Sequence, residues 1–417
     1  MTLAELLSTL FERRNHRRIS RITDGRPLAE LADALVGSAG ETSGLALAEE
    51  ILIRFSGMDD EGKRIFFRYL ATSMDINPKA VRTALADYEK HPSKDSYRAY
   101  AAAAEPRRQE LIRRLNRVPG ATGQLVRLRA ELLRLGAKVP ELAALDLDFR
   151  HLFASWFNRG FLVLRPISWE SPAHILEKII AYEAVHAIAS WDDLRRRLKP
   201  SDRRCFAFFH PSMPDEPLIF VEVALTKGIP GSIQSLLAED RAPMAGHEAD
   251  TAVFYSISNC QKGLASISFG NSLIKQVASD LSSELASLTT FVTLSPIPGL
   301  STWAKQEGLE MPVKAPDAMR KMAAYYLLNT KGRDDLPFDP VARFHLGNGA
   351  MVHAVHADAD ISDKGSAQSG GTMVNYLYDL GTVAQNHEGY ATTKKVFATQ
   401  EVKKLAGAAT YSRVLAR

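Results

Sequence analysis

A serine closes the apolar run Phe291–Leu294 and is followed at once by Pro296, Ile297, Pro298 and Gly299. A proline after Ser295 biases that serine toward an extended backbone, so the hydroxyl is either a turn-former or a group held at a strand end for chemistry. Further along, His345 lies in FHLGNGA, with His353 and His356 close behind. An imidazole near its ordinary pKa can carry a proton at neutral pH. Three histidines also raise the possibility of a metal. Read as strand, however, the spacing puts His345 and His353 on one face and His356 on the other, so no metal site is assigned. A third candidate is the segment SNCQKGLASISFGNSLIKQV, in which Gln261–Gly270 joins a strand to a helix. Free N–H groups and the positive end of a helix dipole at such a loop suit a pyrophosphate. Gly263 would allow close approach and Lys262 would add charge, although turning alone also explains a glycine there.

These groups need a scaffold, and the chain changes character near residue 150. Up to there Leu, Ala, Arg and Glu dominate, and stretches such as LAELADALVGSA, GKRIFFRYLATSM, KAVRTALADYEKH and RRQELIRRLNRV carry apolar residues three and four apart. That is the pattern of amphipathic helices, and Asn77–Pro78 marks one helix start. Residues 1–150 are expected to form an all-helical domain, opened by an amphipathic helix in the first twenty residues. Arg107, Arg108, Arg113, Arg114 and Arg117 are taken as solvated helix surface interleaved with Glu105 and Glu110. Residues 151–417 alternate instead. Strands are expected at GFLVLRPISW, RRCFAFFHP, PLIFVEVALT, TAVFYSIS, TTFVTLS, VARFHLGNGAMVHAV and GTMVNYLYDL. Helices are expected at SPAHILEKIIAYEAV, with Ser171 as N-cap and Pro172 at the first position, at GNSLIKQVASDLSSELAS, and from Trp303 to Asn329.

Composition narrows the class. The chain has 417 residues, 46% hydrophobic and 24% charged, enough for two or three domains with real cores. No apolar stretch approaches the roughly 18–20 residues of a membrane span, and the N-terminus lacks a secretory signal. Two cysteines, Cys205 and Cys260, are too few for a disulfide framework or a zinc cluster. A net charge of +4 does not point to nucleic acid. G-x-G-x-x-G and P-loop patterns are missing, which weakens a dinucleotide or nucleotide reading. A cytoplasmic protein is expected, and the ending SRVLAR carries no peroxisomal tripeptide.

Taken in order, SWFNRGFL, EAVHAIASWDDLRRRL, EPLIFVEVALTKGIPGSIQ, FYSISNCQKGLASISFGNSLIKQV, TLSPIPG, FHLGNGA and GTMVNYLY resemble the malonyl-CoA decarboxylase family over about residues 145–380. The resemblance implies an α+β protein. A helical N-terminal domain would precede a GNAT-like mixed-sheet domain that binds a coenzyme A thioester and carries a helical insertion. It implies a carboxy-lyase that turns malonyl-CoA into acetyl-CoA and carbon dioxide. It also implies a homo-oligomer, dimer or tetramer, formed through the helical domain. Loss of the carboxylate leaves an enolate beside a thioester, itself an electron sink, so no cofactor is expected. The site must stabilise that enolate and return a proton to the α-carbon.

By the same resemblance Ser295 matches the family's catalytic serine and His345 its catalytic histidine. The histidine is usually assigned as proton donor and the serine as acceptor. A serine hydroxyl is a poor base alone, so hydrogen bonding to the carboxylate or a relay with His345 are both open. Tyr378 in NYLY matches a tyrosine near the site. The pyrophosphate cradle falls on Gln261, Lys262, Gly263, Leu264, Ala265, Ser266, Ile267, Ser268, Phe269, Gly270 and Asn271. Asn348 and Asn375 lie in matching segments, and His210 is taken as structural. Ser268 departs from relatives that carry glutamate there. An acyltransferase on the same fold and a non-catalytic acyl-CoA-binding scaffold are the competing readings.

Overall fold

In the computed structural model residues 25–267, 273–332 and 335–409 are described. The expected opening helix and the SRVLAR terminus lie outside them. The described chain divides into two units, one running through Leu162 and also taking His210–Glu216 and the Gln261 segment, the other holding the rest.

The first unit is helical, as expected: α1 (Leu28–Gly37), α2 (Glu41–Ser56), α3 (Asp60–Thr72), α4 (Pro78–Lys90), α5 (Lys94–Ala104), α6 (Arg107–Leu115), α7 (Ala121–Gly136) and α8 (Ala143–Trp156). Helix α8 runs through residue 150. Leu31 and Leu35, Ile51 and Phe55, Leu111 and Leu115, Leu128 and Leu132, and Phe149 and Phe153 are buried four apart, the stripe an amphipathic helix turns inward. The Asn77 side chain accepts from Lys79 N and Ala80 N, with Pro78 opening α4. The arginine surface is different from the expectation. Arg108 is buried, and its guanidinium donates to Asp148, pairs with Asp75 and reaches the Ala71 carbonyl. Arg114 donates to Glu110 and to the Leu35 and Ser38 carbonyls. Periodicity identifies the face a residue occupies, but not that a carboxylate from another helix meets it there.

The second unit is a mixed sheet with helices. In chain order it contains β1 (Val163–Ile167), α9 (Ala173–Tyr182), α10 (Trp191–Leu198), β2 (Arg203–Phe209), β3 (Ile219–Thr226), α11 (Ile233–Leu237), β4 (Thr251–Asn259), α12 (Leu273–Glu284), β5 (Thr290–Thr293) and β6 (Ser295–Pro296). Then come α13 (Leu300–Gln306), α14 (Pro316–Asn329), α15 (Pro340–Gly347), β7 (Met351–His356), α16 (Asp363–Ser369), β8 (Met373–Leu377), α17 (Val383–Thr393) and α18 (Gln400–Gly407). The strand order is β1-β2-β3-β4-β5-β8-β6, with β7 also paired to β8. β1 to β4 are antiparallel neighbours, whereas β4 and β5 run parallel. That pairing ends at Phe254–Thr293, while β4 continues to Asn259. Ser295 pairs with Val374 of β8 instead. The chain therefore parts from β4 at the serine.

Two local expectations are corrected. The segment VARFHLGNGAMVHAV is not one strand: Pro340–Gly347 is helical and only Met351–His356 is strand. Asp339 followed by Pro340 is the same start signal as Asn77–Pro78. His345 is thus a helix residue, and the face assignment that related it to His353 and His356 does not apply. Helix α9 begins at Ala173, with Pro172 in the cap position, and the Ser171 hydroxyl accepts from Ser168 N instead. The helical stretch after Trp303 is interrupted between α13 and α14. Among the described residues no helix is long and apolar enough to cross a membrane.

Candidate active site

Strand β5 delivers Thr293, Leu294 and Ser295 to a buried strand end. Pro296 and Pro298 each fix φ near −65°, which stiffens the turn that follows. Gly299 closes it, and the reason is space: a Cβ there would lie 2.1 Å from the Tyr326 hydroxyl.

Helix α15 brings the imidazole. Asp339 caps it, with Oδ1 accepting from Val341 N at 2.9 Å and Ala342 N at 3.0 Å. His345 then falls in the last turn, on the buried face with Ala342 and Leu346. Strand β8 and the residue after it supply Tyr376 and Tyr378, both buried. The His345 ring stacks on Tyr376, with centroids 4.6 Å apart and planes 23° from parallel.

Four side chains form one hydrogen-bonded line. The Ser295 hydroxyl donates to Thr293 Oγ1 at 2.9 Å, and Thr293 Oγ1 also accepts from Tyr376 N at 3.1 Å. Ser295 Oγ lies 3.2 Å from His345 Nε2, and His345 Nδ1 lies 2.8 Å from the Tyr378 hydroxyl. With the serine proton on Thr293, Nε2–H donates to Ser295 and the Tyr378 hydroxyl donates to Nδ1. Ser295 is the most exposed of the four, at 6% against 3% for His345, 1% for Tyr378 and 0% for Thr293, so it is the member nearest solvent.

Burial sets the charge state. It lowers the His345 pKa from 6.5 to about 3, so the imidazole is neutral at physiological pH. Burial likewise pushes the Tyr376 and Tyr378 hydroxyls well above their ordinary range. The sequence-based expectation of an imidazole near its ordinary pKa is corrected: burial strips an imidazolium of its hydration and so disfavours it.

The structure thus brings Ser295, His345 and Tyr378 together. Asn348 is buried at the end of the helix that carries His345, where its amide donates to the Phe344 carbonyl at 2.7 Å. Asn375 braces the strand end, donating to the Thr293 carbonyl at 2.8 Å and accepting from His356 Nε2. His210 packs in the first unit, with its ring between the Trp156 carbonyl and Ser212 N. Thr293 and Asp339 were not singled out from sequence. The signals were present, a hydroxyl two residues before Ser295 and an Asp-Pro helix start.

Of the expected phosphate loop, Gln261, Lys262, Gly263, Leu264, Ala265, Ser266 and Ile267 are described; Ser268, Phe269, Gly270 and Asn271 lie outside the described residues. Lys262 is exposed, while Leu264 and Ile267 are buried. Gly263 packs on α7, where a Cβ would stand 1.8 Å from the Val126 carbonyl oxygen. The buried Arg129 donates to the Gly263 carbonyl at 2.7 Å and the Ala265 carbonyl at 3.0 Å. This glycine is required by helix packing whatever else the loop does. Among the described residues no group of three or more His, Cys, Asp or Glu is placed to hold a metal, and both cysteines are buried thiols outside any disulfide.

Comparison with known proteins gives concordant matches. The malonyl-CoA decarboxylase C-terminal domain model matches residues 160–315 and 310–415, and the N-terminal domain model matches 75–157. A mitochondrial malonyl-CoA decarboxylase from Anser anser anser is 35% identical over 351 residues, covering 71% of this chain and 69% of its own. One from Rattus norvegicus is 33% identical over 357 residues, covering 73% and 72%. The crystal structure of malonyl-CoA decarboxylase from Rhodopseudomonas palustris is similar with a TM-score of 0.86 at 47% identity, covering 90% of this chain and 98% of that one. That from Cupriavidus metallidurans gives 0.72 at 34% identity, covering 91% and 98%.

Proposed function

The chain belongs to the malonyl-CoA decarboxylase family, and from that membership we infer that it converts malonyl-CoA to acetyl-CoA and carbon dioxide with Ser295 and His345 as its reacting pair. The observation that carries the residue assignment is the hydrogen-bonded line Thr293–Ser295–His345–Tyr378, with Ser295 its most exposed member.

In the reaction the bond between the α-carbon and the carboxylate breaks. Its electron pair passes to the thioester as an enolate, carbon dioxide leaves, and one proton is added at the α-carbon. Ser295 is the group that meets substrate oxygen. Its proton rests on Thr293 and turns to a substrate oxygen as negative charge gathers there, which stabilises the enolate. His345 donates to Ser295 and fixes the lone pairs that remain, while Tyr378 holds the tautomer from the other side. The resting imidazole is neutral. An anionic malonyl group arriving beside it favours imidazolium by opposite charge. Uptake of one proton then balances the one added to carbon, and His345 supplies it through or beside the serine hydroxyl.

The segment Gln261–Asn271 is assigned to the coenzyme A phosphates, with Lys262 as its exposed cation. Residues 1–150 are assigned to support and homo-oligomer contact. The α4–α5 hairpin supports that role: α4 buries no residue in the single chain and α5 only Ser96. The protein is placed in the cytoplasm.

Incubation with malonyl-CoA and no acyl acceptor tests the activity. Acetyl-CoA formed in step with malonyl-CoA consumed is the expected result. No turnover without an amine acceptor would support acyl transfer instead, and binding without turnover a scaffold. Ser295→Ala and His345→Ala test the residues: both are expected to keep the fold and lose turnover by at least about 100-fold, and a wild-type rate in either removes that residue from the mechanism.

A further inference from the structure

We propose that Asp339 is a positioning residue for decarboxylation, a single buried carboxylate that ties the turn carrying Ser295 to the helix carrying His345. The proposal rests on the Ser295–His345 assignment above.

Each oxygen of this carboxylate serves a different element. Oδ1 takes Val341 N at 2.9 Å and Ala342 N at 3.0 Å and so anchors the first turn of α15. Oδ2 takes Gly299 N at 3.0 Å and the Tyr326 hydroxyl at 3.3 Å. Gly299 ends the turn that begins at Ser295, and the two prolines between them leave that turn little freedom. From Asp339 to His345 the chain is a continuous helix. The two reacting side chains are therefore the ends of two stiff arms that meet at one carboxylate, which is 1% exposed.

The geometry at the other end makes the tie matter. Ser295 Oγ and His345 Nε2 are 3.2 Å apart, at the long limit for an N–H···O hydrogen bond. A drift of a few tenths of an ångström in either arm breaks it. An ordinary helix cap needs only Oδ1. The second oxygen, the Gly299 N–H aimed at it and the Tyr326 hydroxyl beside it have no part in capping. The fit is tight enough to demand glycine: a Cβ at Gly299 meets Tyr326 Oη at 2.1 Å, and with that oxygen gone the ring carbon Cζ is at 3.4 Å and Asp339 Oδ2 at 3.2 Å.

The test separates capping from tying. Asn caps helices as well as Asp does, so Asp339→Asn keeps the Oδ1 contacts and turns an NH2 toward Gly299 N–H. Its kcat for malonyl-CoA is expected to fall about 10- to 100-fold with KM changed less than about threefold. Tyr326→Phe keeps the Gly299 contact and stays within about threefold of wild type. Gly299→Ala is expected to lose activity, and Gly299→Ala with Tyr326→Phe to regain at least about tenfold of it. A folded Asp339→Asn enzyme with kcat within about twofold of wild type overturns the proposal. If Asp339→Asn does not fold, the glycine pair decides: a fully active Gly299→Ala, or one that Tyr326→Phe does not rescue, overturns it. Ser295→Ala and His345→Ala are assayed beside these variants. If those two stay active the Ser–His assignment fails; if they lose activity and Asp339→Asn does not, the tie alone fails.

Discussion

Replacing Thr293 with valine tests whether the serine proton is aimed by its neighbour. The side chain is fully buried, and its Oγ1 receives the Ser295 hydroxyl at 2.9 Å and Tyr376 N at 3.1 Å. Valine matches its shape and removes that oxygen. Tyr376 N–H is then left without its acceptor inside the protein, which costs about 1–3 kcal/mol of stability. Ser295 loses the acceptor that holds its proton, and its hydroxyl becomes free to rotate. We expect a kcat lower by about 10- to 100-fold, equivalent to about 1.4–2.7 kcal/mol of transition-state stabilisation. KM should change little, because Thr293 itself lies beneath the serine. Thr293→Ser restores the oxygen and removes only a methyl, at about 1 kcal/mol of stability, and should return kcat to within about threefold of wild type. Steady-state acetyl-CoA formation gives the rates, and thermal unfolding confirms that each variant is folded. A folded Thr293→Val enzyme with kcat within about twofold of wild type, or a Thr293→Ser enzyme no faster than it, refutes the reasoning.

Four further outcomes are expected. His345, lowered by burial from 6.5 to about 3, should show no titration between pH 8 and 4.5 in the histidine NMR spectrum, its signal being the one lost in His345→Gln; a midpoint near 6.5 would contradict the buried neutral state. Because its folded pKa is depressed, the stability it contributes is present above pH 6.5 and is lost as pH falls toward 3. By pH 4.5 that loss is roughly 2–3 kcal/mol, and His345→Gln should be correspondingly less sensitive to acid unfolding. Gly263→Ala places a methyl where the Val126 carbonyl stands 1.8 Å away; it should destabilise the protein by about 1–3 kcal/mol or more, and an unchanged unfolding midpoint would mean the loop is not packed on α7 as described. Lys262→Glu, at an exposed position, should weaken coenzyme A binding roughly five- to tenfold at moderate salt by repelling phosphate. Unchanged affinity in calorimetry would place the phosphates elsewhere.

Much of the secondary structure was legible because it follows local rules. Apolar residues three and four apart located α1, α3, α4 and α6, Asn77–Pro78 located the start of α4, and short β-rich runs located β1 to β5 and β8. At His345 two local signals compete. Asp339–Pro340 starts a helix, while the strand-like run Met351–Val355 that follows invites reading the whole segment as extended. Gly347 and Gly349 separate the two, and each signal holds only on its own side of them. Ser295, His345 and Tyr378 were selected by resemblance to a family rather than by pattern. Their contact spans 50 residues from serine to histidine and 33 from histidine to tyrosine.

Sequence by itself determined which residues were available: a serine at a stiffened strand end, a histidine, a tyrosine and the helices and strands that bear them. Only the tertiary structure decided that Thr293 receives the serine proton, that Asp339 joins the two arms, that Gly263 is shaped by Val126, and that His345 rests neutral. Periodicity follows from the geometry of one segment of backbone. A proton's partner and a buried group's pKa follow from which other segments pack around it, and that is settled only when strand register and helix packing close the chain.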